Sequence, residues 1–145
     1  MTQEDKDLLL KDIFGRIPYG VKCSYLDIEF NNTTNGNLES FEYDNDNDVI
    51  FVIDGIGIYS EHVQPYLFPL SSMTEEQKQF FNNLPIGIDK YGDISAKDDL
   101  NGNSLYTDLE LYLEVIDFFH KNHLDYRGLI PKGLAKDATG LNIYH

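Results

Sequence analysis

The chain has 145 residues, 41% of them apolar, with ten tyrosines and nine phenylalanines. This length and aromatic content give a single domain, residues 1–145, with a sizeable core, and exclude whole-chain disorder. Twenty-five acidic against eleven basic residues leave a net charge of −14, which excludes direct binding to a nucleic-acid backbone and disfavours adhesion to anionic lipid, because both need clustered Lys and Arg.

Residues 4–14 read as an amphipathic helix. Leu8, Leu9, Ile13 and Phe14 form its apolar face, and Asp5, Lys6 and Asp12 fall outside it. Gly15 and Pro18 are expected to end it. Val21, Cys23 and Tyr25 alternate, and then Leu26, Ile28 and Phe30 alternate on the opposite parity, which suggests a bulge or bend within one strand. Asn35-Gly36 signals a hairpin, with Leu38 to Tyr43 returning. The polar run Asp44 to Asp48 makes the next turn. Val49 to Ile53 is apolar throughout, as in a central strand buried on both faces. Asp54-Gly55 is a second tight turn, and Ile56 to Ser60 returns.

Beyond this meander, residues 62–67 read as a short 3₁₀ segment. Phe68 to Leu70 offer a fifth strand that Pro69 would confine to an edge. Thr74 with Gln77 fits a capping box ahead of a helix ending near Asn83. Residues 86–103 read as an irregular excursion with a minor hairpin at Tyr91-Gly92. A long helix is expected over residues 104–122, with Leu105, Leu109, Tyr112, Leu113, Ile116, Phe119 and His120 on one stripe. Gly128 and Pro131 punctuate its end, Gly128 as a left-handed helix stop. One further turn is expected over residues 131–137.

The expected fold class is therefore α+β: an N-terminal helix, a four- to five-stranded antiparallel meander, and two further helices packed on it. The meander either curls toward an SH3-like barrel, which the bend in its first strand favours, or stays an open sheet covered by helices.

Several constellations invite chemistry. Asp44, Asp46 and Asp48 alternate as in calcium loops, but Val49 stands where such a loop needs glycine and Gly55 where it needs glutamate. A solvated turn, part of an acidic surface, is the better reading. His120 and His123 are three apart with Asp125 beyond, too few ligands for a transition-metal site. His120 is expected at the core edge and His123 at the helix C-terminus, where positive charge is favourable. Cys23 falls on the inward face of a strand, where a thiol behaves as a small apolar group rather than a nucleophile. Arg127 can grip a carboxylate or phosphate, or pair locally with an acid. No metal, cofactor or catalytic residue is assigned. The candidate binding residues are His123, Asp125, Tyr126 and Arg127, with Tyr66, Phe68 and Tyr126 as an exposed aromatic patch.

A single cysteine permits no internal disulfide, the first residues lack a secretory pattern, and no apolar run nears membrane-span length. A soluble cytoplasmic protein without membrane association is expected, with its oligomeric state open.

Four segments carry a resemblance. They are Leu8 to Cys23 (with Ile17-Pro18-Tyr19-Gly20-Val21), Val63 to Glu76 (with Pro65-Tyr66-Leu67-Phe68-Pro69-Leu70-Ser71-Ser72-Met73-Thr74), Phe118 to His123, and Asp125 to Ala135. Together they resemble a family of small uncharacterised proteins of gut Bacteroidales and their phages and prophages. Its members read Leu-Pro-Tyr-Gly-Val, Pro-Tyr-Leu-Arg-Pro-Met-Ser-Ser-Met-Thr and His-His-Phe-Asp-Tyr-Arg-Gly-Leu-Ile. Here Asn122 stands at the first family histidine, Leu124 at the phenylalanine and Phe68 at the arginine. The resemblance implies a phage or prophage accessory protein acting inside a bacterial cell, and no activity. The leading expectation is a noncatalytic protein-binding module. The alternatives are an acidic inhibitor or sponge of a host defence factor (a DNA mimic or a small-ligand binder), and an enzyme using the segment from His123 to Arg127.

Overall fold

The computed structural model describes residues 1–83, 86–88, 94–96 and 109–144, with side chains for residues 1–83 and 113–144. Helix α1 (Gln3–Arg16) is capped by the Thr2 side chain, which accepts from the Asp5 amide. It buries Leu9 and Ile13 completely. Asp12, expected outside, is also fully buried, because the equally buried Arg16 one turn later neutralises it. The helix runs through Gly15 instead of stopping there. A Cβ on Gly15 would come within 2.7 Å of the His120 ring, so glycine here makes room for that ring. The chain leaves by a 3₁₀ turn, Ile17–Tyr19, closed by Gly20 at φ 75°.

Strand β1 (Lys22–Asp27) pairs antiparallel with β2 (Asn32–Tyr43), Lys22 opposite Asn37 and Asp27 opposite Asn32. The hairpin turn is therefore not at Asn35-Gly36, which lies within β2. It is at residues 28–31, where the Asp27 carboxylate accepts the Glu29 and Phe30 amides and Asn31 takes φ 50°. Ile28 and Phe30 sit in this turn, 64% and 71% exposed, so the parity switch marks the end of a strand rather than a bend within one. Gly36 is needed for another reason: a Cβ there would fall 2.6 Å from Ile53. The bulge lies further along, between Leu38 and Ser40.

Strands β3 (Val49–Ile53) and β4 (Ile56–Tyr59) complete the meander through Asp54 and Gly55, both at positive φ. β3 turns Val49, Phe51 and Ile53 inward, while Ile50 and Val52 on its other face are half-buried. β5 (Val63–Pro69) replaces the expected 3₁₀ segment, and it is not an edge strand. Its two prolines are tolerated because its neighbours take it in short pieces. β1 pairs with residues 63–65 antiparallel. β9 (Lys136–Asp137) pairs with Tyr66 and Leu67, and β8 (Leu124–Asp125) with Phe68 and Pro69, both parallel.

The resulting sheet has seven strands, ordered β4-β3-β2-β1-β5-β8, with β9 also on β5. It is an open sheet in an α+β fold, not a closed SH3-like barrel. α2 (Glu75–Asn82) starts at the expected capping box of Thr74 and Gln77. β6 (Ile86–Ile88) and β7 (Ile94–Ala96) form a separate antiparallel ladder. Tyr91-Gly92 would fall in its connection, outside the described residues.

α3 covers Leu109–Lys121; residues 104–108 of the expected helix, and the side chains of Leu105, Leu109 and Tyr112, lie outside the description. Its buried side chains are Val115, Phe118, Phe119 and His120. Leu113 lies on the same side as His120 about two turns away, beyond the contact with Gly15, and is 55% exposed instead of joining the stripe.

Two apolar clusters result. One joins α1 to the sheet through Leu9, Ile13, Cys23, Phe51 and Leu67. The other gathers Val115, Phe118, Phe119, Leu124 and Tyr126 around α3. Complete burial of such side chains stabilises the fold by about 2–3 kcal/mol each.

Candidate functional site

The segment from His123 to Arg127 contributes Leu124 and Tyr126 to the α3 cluster, and its polar side chains divide. Asp125, Tyr126 and Arg127 turn inward. Asp125 is 6% exposed and accepts the Leu129 and Ile130 amides at 2.8 and 2.9 Å, fixing the turn that follows. Burial pushes its carboxyl above the usual range, and the two amide bonds oppose that shift. The Tyr126 hydroxyl lies 3.0 Å from His120 Nε2, and its ring stacks on Phe119. Arg127 Nε lies 3.4 Å from Asp12 Oδ1, and its guanidinium carbon lies 4.9 Å from the centre of the Tyr126 ring.

Arg16 anchors this brace. Its Nε and Nη2 donate to Asp12 at 2.6 and 3.0 Å, and Nη2 also donates to the Leu124 carbonyl at 2.7 Å. The sequence reading missed Asp12 and Arg16. Their i, i+4 spacing on a helix was the available signal, hidden because charged side chains are normally placed outside. Burial and the Arg16 charge lower His120 to a pKa of about 4, so its imidazole is neutral at pH 7. Arg127 thus meets an acid of its own chain. Tyr126, at 3% exposed, and Tyr66, at 6%, are buried and do not form an exposed patch.

His123 stands apart. It, not Gly128, is the left-handed residue that ends α3, at φ 56°, with its amide donating to the His120 carbonyl. Gly128 takes φ 74° in the following turn. The His123 ring lies flat on Tyr144, with centroids 3.6 Å apart, and its Nδ1 is buried without a hydrogen-bond partner. Burial and Arg16 lower its pKa to about 4. It therefore does not cap the helix as a cation.

Tyr144 occupies an unusual position. The β1–β5 ladder stops at Cys23 and Pro65. In the next place, the Tyr144 hydroxyl accepts the Lys22 amide at 3.1 Å and donates to the Tyr66 carbonyl at 2.6 Å. It satisfies two strand groups that the diverging backbones leave unpaired.

Beside this stack is a cavity of about 450 Å³, lined by Phe68, His123, Tyr144, Gln77, Asn122 and Lys121. A second hollow of about 580 Å³ shares Gln77, Asn122 and Lys121 and continues between α2 and α3 to Phe80, Glu76, Glu114 and Asp117. The Gln77 side-chain amide donates to Asn122 at 3.1 Å between them. Phe80 is 38% exposed and packs on Phe118 at 4.7 Å. The two hollows adjoin across the Gln77–Asn122 pair as the two ends of a groove; among the described lining residues the His123 end is aromatic and without carboxylates, and the Phe80 end aromatic and acidic. No sequence pattern marked it, because Phe80, Glu114 and Tyr144 come from three separate elements.

The other candidates are placed elsewhere. Asp44 is committed to its turn: Oδ1 accepts the Asp46 and Asp48 amides and Oδ2 accepts the Tyr59 hydroxyl. These bonds hold its carboxyl below the usual range. Asp48 pairs with Lys6 at 3.0 Å. Cys23 is fully buried, its thiol pushed up to about 12. Among the described residues no group of three or more His, Cys, Asp or Glu side chains converges as metal ligands, and no helix is long and apolar enough to cross a membrane. Comparison with protein-family models, with curated proteins and with solved structures gave no match.

Proposed function

We propose that the chain is a noncatalytic protein-binding module and that its partner engages the groove between α2, α3 and the Phe68–Tyr144 wall. One observation carries this reading. The ionisable groups of the inward half of the segment from His123 to Arg127 are committed to partners in the fold, whereas the groove presents exposed aromatic surface and carboxylates together. Exposed aromatic surface rimmed by charge is the usual chemistry of recognition between proteins. An enzymatic reading is less well supported: His123 is neutral and stacked, its Nδ1 has no hydrogen-bond partner to orient it, and the Tyr144 hydroxyl beside it is committed to the Lys22 amide and the Tyr66 carbonyl. The −14 charge favours a basic partner. The family resemblance supports, in this reading, a phage or prophage accessory protein acting inside a bacterial host.

The test is affinity capture from bacterial lysate with quantitative mass spectrometry. The native chain is compared with a Phe80→Ala/Glu114→Gln variant and with an Asp46→Asn/Asp48→Asn variant. A stoichiometric partner lost only in the first variant supports the groove. Retention by that variant, with loss in the acidic-turn variant, would move the interface to the turn and overturn the reading.

A further inference from the structure

Resting on that reading, we infer that the groove recognises a short segment carrying a basic residue at one end and an aromatic or large apolar residue at the other. The Phe80 end carries three carboxylates, Glu76, Glu114 and Asp117, around an exposed ring. Asp117 accepts the Tyr19 hydroxyl at 2.7 Å, which orients it without neutralising it. A Lys or Arg side chain matches this end twice, by charge and by lying over the Phe80 face.

The His123 end offers the opposite chemistry. Phe68 and Tyr144 have ring centroids 6.0 Å apart, and the His123 ring lies against Tyr144. Among the described residues that line this cavity there is no carboxylate, and Lys121 is the one cation. A second basic residue is disfavoured here, while an apolar ring would bury against three others. The neutral state of His123 adds no second positive charge to this end at pH 7.

The spacing follows from helix geometry. Glu114 in the acidic hollow and Lys121, which both hollows share, are seven residues apart on α3, about 10 Å at 1.5 Å per residue, and this sets the shortest span between the two ends. That is roughly three residues of extended chain or two helical turns. The shortest segment that spans both ends therefore reads basic–x–x–aromatic when extended, a length that one loop or terminus of a partner supplies.

The experiment is an amide NMR titration of the intact chain with three capped tetrapeptides: Lys-Ala-Ala-Phe, Glu-Ala-Ala-Phe and Lys-Ala-Ala-Ser. The first should bind most tightly, with shifts at Phe80, Glu114 and Asp117 and also at His123 and Tyr144. Glu76→Gln/Glu114→Gln should weaken it by about two- to fivefold per carboxylate, the range of exposed ion pairs, and added salt should do the same. Equal binding of all three peptides, or shifts confined to the acidic turn, would overturn the inference. If capture from lysate depends on Phe80 but no tetrapeptide prefers the groove, the specificity fails and the module reading stands. If capture is indifferent to Phe80, the reading itself fails.

Discussion

The brace and the groove are built from neighbouring residues and obey opposite rules. In the brace, two arginines and two aspartates are almost completely withdrawn from water, and Arg16, Asp12 and Asp125 each reach more than one partner. In the groove, Glu76, Glu114, Asp117 and Lys121 remain exposed beside the exposed ring of Phe80. The contrast shows that polarity in a sequence does not mark function. What separates the two regions is whether the charged side chains are withdrawn from water against opposite charge or left in it.

The largest expected effect breaks the brace. Arg16→Met leaves Asp12 buried with only the longer Arg127 contact, and should cost about 3–5 kcal/mol in urea unfolding. A loss below 1 kcal/mol would show that Asp12 reaches solvent or is neutral. Tyr144→Phe keeps the ring stack but orphans the Lys22 amide and the Tyr66 carbonyl, at a cost of about 1–3 kcal/mol. Hydrogen exchange at the Lys22 amide should accelerate with it. Gly128→Val forces a β-branched residue to φ 74° and should lower stability by about 1–2 kcal/mol. The melting temperature reads this directly.

The pH dependence sharpens the comparison. His120 and His123 fall from 6.5 unfolded to about 4 folded, so the unfolded chain binds the extra protons. Their stabilisation is complete above pH 6.5 and is lost as pH falls toward 4. Asp125, shifted upward, opposes them at the lower end of this window. The melting temperature should fall between pH 6.5 and 4, and His120→Gln should flatten that fall. The smallest expected effect is Glu114→Gln, within about 0.5 kcal/mol of native stability, because its side chain lies on the exposed flank of α3.

Much of the fold was legible in the sequence. The Thr74 and Gln77 cap, the Asp54-Gly55 turn and the inward Cys23 rest on local chemistry, and local chemistry is what a sequence displays. The hairpin at Asn35-Gly36 was misread because glycine serves two purposes: here it permits close approach of Ile53, and Asp27 builds the turn instead. Only the Phe68-Pro69 end of β5 was read as a strand, and as an edge, because its prolines hid a strand held by three partners. The α2–α3 groove was not legible, since it exists only where distant segments meet.

The most direct measurement compares His123→Asn with Arg127→Met for unfolding free energy and partner capture. Asparagine tolerates the left-handed conformation but removes the ring stacked on Tyr144. His123→Asn is expected to weaken capture and leave stability within about 1 kcal/mol. Arg127→Met is expected to lower stability while the folded fraction still captures the partner. The reverse pattern, with capture lost through Arg127 and unaffected by His123, would contradict the division of this segment into an inner brace and an outer binding wall.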